Sequence, residues 1–182
     1  MSPIKNIQLS LGKFKLKSEK KKLKRKVKAF NLEKASTVGV IYNATNRNDY
    51  ELAKKFVQYL KEERKDVLAL GYINSKNSDD VVKPHLNYQF FDNNNISKIK
   101  VPTGLDATNF ITSNFSILID LNTEDCFPIE YITTLSRAKF KVGAAGNYRN
   151  EECDLTIDIS QNNNLDYLII QIKHYLKMIQ TG

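Results

Sequence analysis

The sequence lacks the residues on which several protein classes depend. It contains only two cysteines, Cys126 and Cys153, 27 positions apart and without a partner motif. That spacing excludes a disulfide framework and a cysteine-rich zinc site, and it favours a reducing, cytoplasmic setting. No run approaches the ~18 apolar residues of a membrane-spanning helix, and the first residues do not have the pattern of a secretory leader.

Negative charge is scarce at the start of the chain. Residues 1–34 hold 12 basic and 2 acidic residues, whereas residues 35–182 hold 16 basic and 18 acidic ones. We therefore divide the chain into a basic N-terminal arm, 1–34, and a nearly neutral body, 35–182. Such asymmetry predicts a polyanionic partner or an anionic surface. An AT-rich genome would raise the lysine content everywhere, but it would not concentrate lysine in the first fifth of the chain.

The arm has a weak helical pattern. Leu16, Leu23, Val27 and Phe30 would form one narrow apolar stripe on a helix, but six of the seven residues from 20 to 26 are basic and repel one another. We expect a helical or disordered arm that orders on a partner or docks on the body. The arm residues expected to contact phosphates are its basic side chains: Lys13, Lys15, Lys17, Lys20, Lys21, Lys22, Lys24, Arg25, Lys26 and Lys28.

The body alternates strand and helix patterns. Residues 36–42 and 66–73 are short apolar runs, and the amphipathic segment 49–64 between them is long enough for a parallel crossover. Asn48 and Glu51 have the spacing of a capping box at the start of that helix. Further elements are predicted as strands at 86–90, 115–121, 140–143 and 154–159, and as helices at 105–112, 128–138 and 165–179.

These elements predict an α/β fold with a single doubly wound, mostly parallel sheet of five or six strands, Rossmann-like and three-layered. Ligands of such sheets bind beyond the carboxyl ends of the strands. Three loops qualify there: 43–49, 120–126 and 143–146. The candidate ligand-binding residues in these loops are Asn43, Thr45, Asn46, Asp120, Glu124, Asp125 and Gly143.

Each loop has a structural alternative. Loop 43–49 has no glycine to bring amides to a phosphate, which favours a capped turn, although the helix N-terminus with Thr45, Asn46 and Arg47 could still hold an anion. The three carboxylates of loop 120–126 could bind a metal or act as a base, or could cap the next helix. Loop 143–146 could admit a ligand or form a tight turn. Neither His85 nor His174 has an obvious nucleophile or metal partner. We therefore expect binding rather than catalysis, with no cofactor and no metal.

Two resemblances accompany these patterns. The segment FSILIDLNTEDCFPIEYITTLSRAKFKVG, 115–143, resembles the strand–helix–strand of heptosyltransferase-like, GT-B glycosyltransferases, and Leu135, Ser136, Ala138 and Gly143 match its tail. That resemblance implies a small-ligand or sugar-binding half-domain. The lysine-rich arm followed by TVGVIYNA and ILIDLNTEDCFPIEYI is similar to a family of short, uncharacterised proteins from Bacteroidota. This second resemblance implies a fold and a cytoplasmic setting, but no activity.

The favoured hypothesis is a non-enzymatic cytoplasmic module whose arm contacts RNA phosphates, for example on the ribosome. The excess of lysine over arginine indicates contact with the backbone rather than reading of bases. A peripheral membrane or protein-complex subunit, with the arm on anionic lipid, ranks second because the chain has no tryptophan. The third hypothesis is the small-ligand or sugar-binding half-domain.

Overall fold

The computed structural model describes residues 3–75 and 87–180. At its centre is one sheet of six parallel strands in the order β3-β2-β1-β4-β5-β6. The strands are β1 (Thr37–Asn43), β2 (Asp66–Ile73), β3 (Tyr88–Asp92), β4 (Ile117–Asp120), β5 (Phe140–Ala144) and β6 (Leu155–Ile157). The helices are α1 (Pro3–Lys20), α2 (Arg47–Glu62), α3 (Leu105–Thr112), α4 (Phe127–Leu135), α5 (Asn147–Glu152) and α6 (Leu165–Met178).

The sheet is covered on both faces, which confirms the predicted Rossmann-like three-layer fold. Helices α2 and α6 pack on one face through residues such as Phe56 and Ile172, and α3 and α4 pack on the other through residues such as Phe110 and Ile132. Strand order reverses between β1 and β4. No helix among residues 3–75 and 87–180 is long and apolar enough to cross a membrane.

Helix α2 begins two residues before the predicted start. Asn46 is its N-cap, and the Asn46 side chain accepts a hydrogen bond from the Asn48 amide at 2.8 Å. The predicted capping box of Asn48 and Glu51 is therefore wrong, because Asn46 already occupies the cap position. The predicted strand at 86–90 is observed as β3, whereas His85 and Leu86 lie outside the described residues.

The arm is helical only up to the lysine-rich run. Helix α1 ends at Lys20, and residues 23–30 form no helix, so the predicted stripe through Leu23, Val27 and Phe30 is wrong. Repulsion among six like charges in seven residues accounts for this end. Leu16 does dock: it is buried against Val101, Tyr131 and Leu135 on the outer side of α4.

Gly12 is a point of close approach between α1 and the body. A Cβ atom on this residue would lie 2.2 Å from the Ile99 carbonyl oxygen and 2.8 Å from Phe127 Cε1. Since real Cβ atoms do not approach a backbone oxygen this closely, only glycine lets α1 pack here. The docking of α1 on α4 therefore depends on the absence of a side chain at position 12.

Gly12→Ala should destabilise the protein although alanine is the better helix former. In an exposed helix this change stabilises by about 1 kcal/mol, whereas here the clash should lower the free energy of unfolding by about 1–3 kcal/mol. Urea unfolding measures the free energy, and hydrogen exchange at Tyr131 reports undocking. Ser18→Ala, at an exposed position of the same helix, is the control and should be neutral. A stabilised Gly12→Ala protein would contradict the docked position of α1.

Candidate functional site

A basic groove lies at the edge of the sheet where β4 and β5 begin. It has a volume of about 560 Å³ and is formed by residues 22–26 of the arm together with Asn114, Arg137 and Lys139 of the body. Six of its eight lining residues are basic and none is acidic. We call this feature the basic groove. Its positive charge comes from two parts of the chain that the fold brings together.

Arg25 fixes the arm beside the body. Its Nε donates to the Ala138 carbonyl oxygen at 2.5 Å, and its guanidinium pairs with both carboxylate oxygens of Asp154. The Lys28 amide donates to the Lys139 carbonyl oxygen at 3.0 Å, which holds the following residues in place. Arg25 is therefore an anchor that holds this segment of the arm against the body, whereas the side chains of Lys24 and Lys26 on either side of it are exposed.

The other predicted phosphate contacts are distributed over two surfaces. Lys22, Lys24 and Lys26 are exposed and line the basic groove. The lysines of α1 lie outside it, and two of them have acidic neighbours: Lys15 is 3.8 Å from Glu19, and Lys20 is bonded to Glu152. Outside the groove lie Lys13, Lys15, Lys17, Lys20, Lys21 and Lys28.

A polar cleft of about 410 Å³ lies at the opposite edge, between the carboxyl ends of β1 and β4. Because strand order reverses there, the fold places its natural crevice at this point. Five of the predicted ligand residues line the cleft: Asn43, Thr45, Asn46, Glu124 and Asp125. Asp49 lines it too, and burial together with the charge of Glu124 raises the pKa of Asp49. The cleft is acidic, so it suits a cation or a hydroxyl-rich molecule better than a phosphate.

Asp120 lies behind this cleft and is fully buried. Its Oδ1 accepts hydrogen bonds from the Asn122 amide at 3.0 Å and from Asn122 Nδ2 at 2.6 Å. Its Oδ2 accepts from Thr133 Oγ1 at 3.0 Å and from the Tyr148 hydroxyl at 2.6 Å. Burial, and then the Asp120 charge, raises the pKa of Tyr148 well above its ordinary value, so the phenol remains a donor. The carboxylate joins β4 to α4 and α5.

Gly143 and Arg149 complete the buried region. A Cβ on Gly143 would lie 3.2 Å from Arg149 Cδ and 3.3 Å from Cys153 Sγ, so a side chain here would require both neighbours to shift. Arg149 is 2% exposed, donates from Nε to the Ala144 carbonyl oxygen at 3.0 Å and approaches Asp125 at 3.8 Å. Gly146, with φ of 136°, makes the turn that folds Arg149 inward. Loop 143–146 is thus a tight turn.

The cleft shows neither a reactive thiol nor a metal site. Burial raises the pKa of the Cys126 thiol to about 11. Cys126 is also the N-cap of α4 and makes no side-chain capping bond, so none of the three carboxylates occupies the cap position itself. Within residues 3–75 and 87–180, no three His, Cys, Asp or Glu side chains are grouped to hold a metal ion.

A family model matches residues 8–179, nearly the whole chain and most of its basic arm. The chain belongs to DUF6913, a family of unknown function. Membership confirms the predicted resemblance to an uncharacterised family. Comparisons with curated proteins and with solved structures give no match, and so lend no support to the glycosyltransferase resemblance.

Sequence reasoning missed four important residues of this DUF6913 protein. Arg137 and Lys139 line the basic groove. Arg25 of the arm contacts the carbonyl oxygen of Ala138 between them, although Arg25 and Ala138 are 113 positions apart in the sequence. The cluster RAKFK at the start of β5 was the available signal. Tyr148 and Arg149 belong to α5, whose six residues, NYRNEE, show no apolar periodicity. No local pattern marked them as buried.

Proposed function

We propose that this DUF6913 protein is a non-enzymatic module that binds RNA along its phosphate backbone in the basic groove. The observation that carries the proposal is the clustering of six basic residues, with no acidic residue, in one open groove of about 560 Å³. Neither a histidine nor a carboxylate lines this groove, so it holds no acid–base pair for catalysis. We place the protein in the cytoplasm, on ribosomal or other structured RNA.

The lysines of the groove suit backbone contacts. Each ammonium group neutralises phosphates as a point charge and releases counterions, and this contact carries no information about the base. The bonds of Arg25 to Asp154 and of Lys28 to Lys139 hold the lysine-bearing segment in place before RNA arrives. Because that segment is already ordered, binding loses less conformational entropy.

Arg137→Gln combined with Lys139→Gln should weaken RNA binding by about tenfold and lower the slope of log affinity against log salt by about 2, because two phosphate contacts are lost. Fluorescence anisotropy with a labelled RNA hairpin, measured over a salt series, gives both quantities. The matched control is Lys55→Gln with Lys98→Gln. It makes the same change of net charge at two exposed lysines that do not line the groove.

Two results would contradict the proposal. If the control pair lost as much affinity as the groove pair, net charge rather than the groove would account for binding. If the unmodified protein did not bind the hairpin at low salt, the RNA function would be wrong. The sugar-binding hypothesis would instead use the acidic cleft, whose carboxylates and amides can accept hydrogen bonds from hydroxyl groups. No feature beyond those side chains indicates a ligand there, so the groove is favoured.

A further inference from the structure

The outer face of α1 carries an apolar stripe that the RNA proposal does not use. Ile4, Ile7, Leu11 and Phe14 are between 52% and 75% exposed. Their spacing of three, four and three residues places them on one side of the helix, within a narrow arc. Large apolar side chains are common singly on surfaces, but four in one row mark an interaction surface. We call this row the α1 stripe.

The α1 stripe faces away from the body because the opposite side of the helix is already packed. Gly12 and Leu16 face Phe127 and Val101, respectively. Residues 4–7 are all exposed, so the first turns of α1 stand clear of the body. Packing of the later turns keeps the helix formed, and an isolated helix of this length would be only marginally stable.

The charges around the α1 stripe indicate what covers it. At 100° per residue, Lys15 and Lys17 flank the stripe on its two sides. The helix as a whole carries five lysines and one acidic residue, Glu19. Two copies packed stripe to stripe would bring the flanking lysines Lys15 and Lys17 of one helix near those of the other, and an RNA backbone offers no apolar surface. A membrane with anionic head groups offers both an acyl boundary for the stripe and negative charge for the lysines.

We propose that α1 binds the surface of an anionic membrane, with the α1 stripe at the acyl boundary and the flanking lysines among the head groups. This second binding surface is distinct from the basic groove, whose lining begins at Lys22. The helix lies in the membrane plane and does not span the bilayer.

Ile7→Gln combined with Phe14→Gln tests the proposal on the full chain. Glutamine keeps the helix propensity, and loss of two apolar contacts should lower partitioning onto phosphatidylcholine–phosphatidylserine vesicles by at least about tenfold in co-sedimentation. Leu105→Gln, at an even more exposed leucine of α3, is the control for loss of an exposed apolar side chain and should bind like the unmodified protein. Vesicles of phosphatidylcholine alone should bind weakly because they offer the lysines no negative charge.

A spectroscopic variant gives an independent readout. The chain has nine tyrosines but no tryptophan, so Phe14→Trp provides a single, selectively excitable tryptophan on the α1 stripe. Its emission should shift to the blue with phosphatidylserine vesicles and remain unchanged with RNA. The groove variant Arg137→Gln with Lys139→Gln should lose RNA binding and keep vesicle binding, so failure of one proposal is distinguishable from failure of the other.

Two outcomes would overturn the membrane proposal. Equal vesicle binding by the stripe variant and the unmodified protein would show that the α1 stripe does not contact lipid. A concentration-dependent dimer in analytical ultracentrifugation, abolished by Ile7→Gln with Phe14→Gln, would show that a second copy covers the stripe instead.

Discussion

Asp120→Ala is expected to lower the free energy of unfolding by about 3–5 kcal/mol, the largest effect of any single change considered for this chain. The Asp120 carboxylate is fully buried and accepts four hydrogen bonds. Alanine would leave the Asn122 amide group, the Thr133 hydroxyl and the Tyr148 hydroxyl without this acceptor. It would also remove a negative charge close to the buried Arg149 guanidinium. Buried donors without a partner retain their full desolvation penalty.

Asp120→Asn separates the hydrogen bonds from the charge. Asparagine has the same shape and keeps one acceptor oxygen. Its NH₂ group would replace the other carboxylate oxygen and would face the two groups that now donate hydrogen bonds to that oxygen. We expect a loss of about 1–3 kcal/mol, smaller than for alanine. The matched control is Asp125→Asn, because Asp125 also faces Arg149, at 3.8 Å, but is half-exposed. Solvent screens that pair, so the control should change stability by less than about 1 kcal/mol.

Urea unfolding followed by circular dichroism at neutral pH measures all three variants. If Asp120→Ala unfolded like the unmodified protein, the buried network would contribute nothing and the structural role of Asp120 would be wrong. The series also bears on the hypothesis that Asp120 holds a ligand. A residue that acts only on a ligand leaves the stability of the free protein unchanged, whereas this carboxylate should change it strongly.

The helices and strands that a local sequence pattern specifies by itself were the ones predicted best. The β-branched run at β1 and the apolar face of α2 predicted the first crossover, and the almost wholly apolar run that ends near Asp120 correctly predicted β4 at the centre of the sheet. Each of these signals is local, a continuous apolar run for a buried strand or a 3.6-residue period for a helix, so it predicts the element without knowledge of the rest of the chain. Errors at these elements are confined to their ends.

The candidate sites were harder to predict from the sequence because they are formed by residues that are far apart along the chain. Two hydrogen bonds to the buried Asp120 carboxylate come from Thr133 and Tyr148, which are 13 and 28 positions away in the sequence. No sequence period links these three residues. The basic groove likewise needs Arg137 and Lys139 beside the arm. On the arm, the spacing of Leu16, Leu23, Val27 and Phe30 predicted a stripe that runs into the lysine-rich segment. The exposed stripe lies earlier, at Ile4 to Phe14, on a face that only the docking of Gly12 and Leu16 defines.

Lys141 should make the stability of the protein increase with pH between about 8 and 10. The side chain is 2% exposed, and its Nζ donates to the Thr134 carbonyl oxygen at 2.9 Å. Burial, and then the charge of Arg25, lowers the pKa of Lys141 to about 8. An unfolded lysine has a pKa of about 10.4. Between these values the unfolded chain binds more protons than the folded one, so this group adds stability as pH rises.

The expected size of this effect follows from the difference in pKa. A difference of about 2 units corresponds to roughly 3 kcal/mol. Lys141→Met should therefore be more stable than the unmodified protein at pH 7, and its advantage should shrink by roughly 3 kcal/mol by pH 10. Burial raises the pKa of Cys126, Cys153 and Tyr148, and these groups oppose the trend, the two cysteines above about pH 8.5 and the tyrosine above about pH 10. They are present in both proteins, so the difference between the two stability curves isolates Lys141.

Urea unfolding of both proteins from pH 7 to pH 10 measures the difference between the two stability curves. The control is Lys139→Met, at an exposed lysine, whose free energy of unfolding should differ from that of the unmodified protein by the same amount at every pH. Parallel curves for Lys141→Met and the unmodified protein would show that the lysine is not held in an apolar site. Arg25→Gln adds a directional check, because Arg25 lowers the pKa of Lys141 and also pairs with Asp154, whose charge raises it. Removing Arg25 should raise the pKa of Lys141, so the increase of the free energy of unfolding with pH should begin at a higher pH. That shift would tie the ionisation of a core lysine to the docked position of the basic arm.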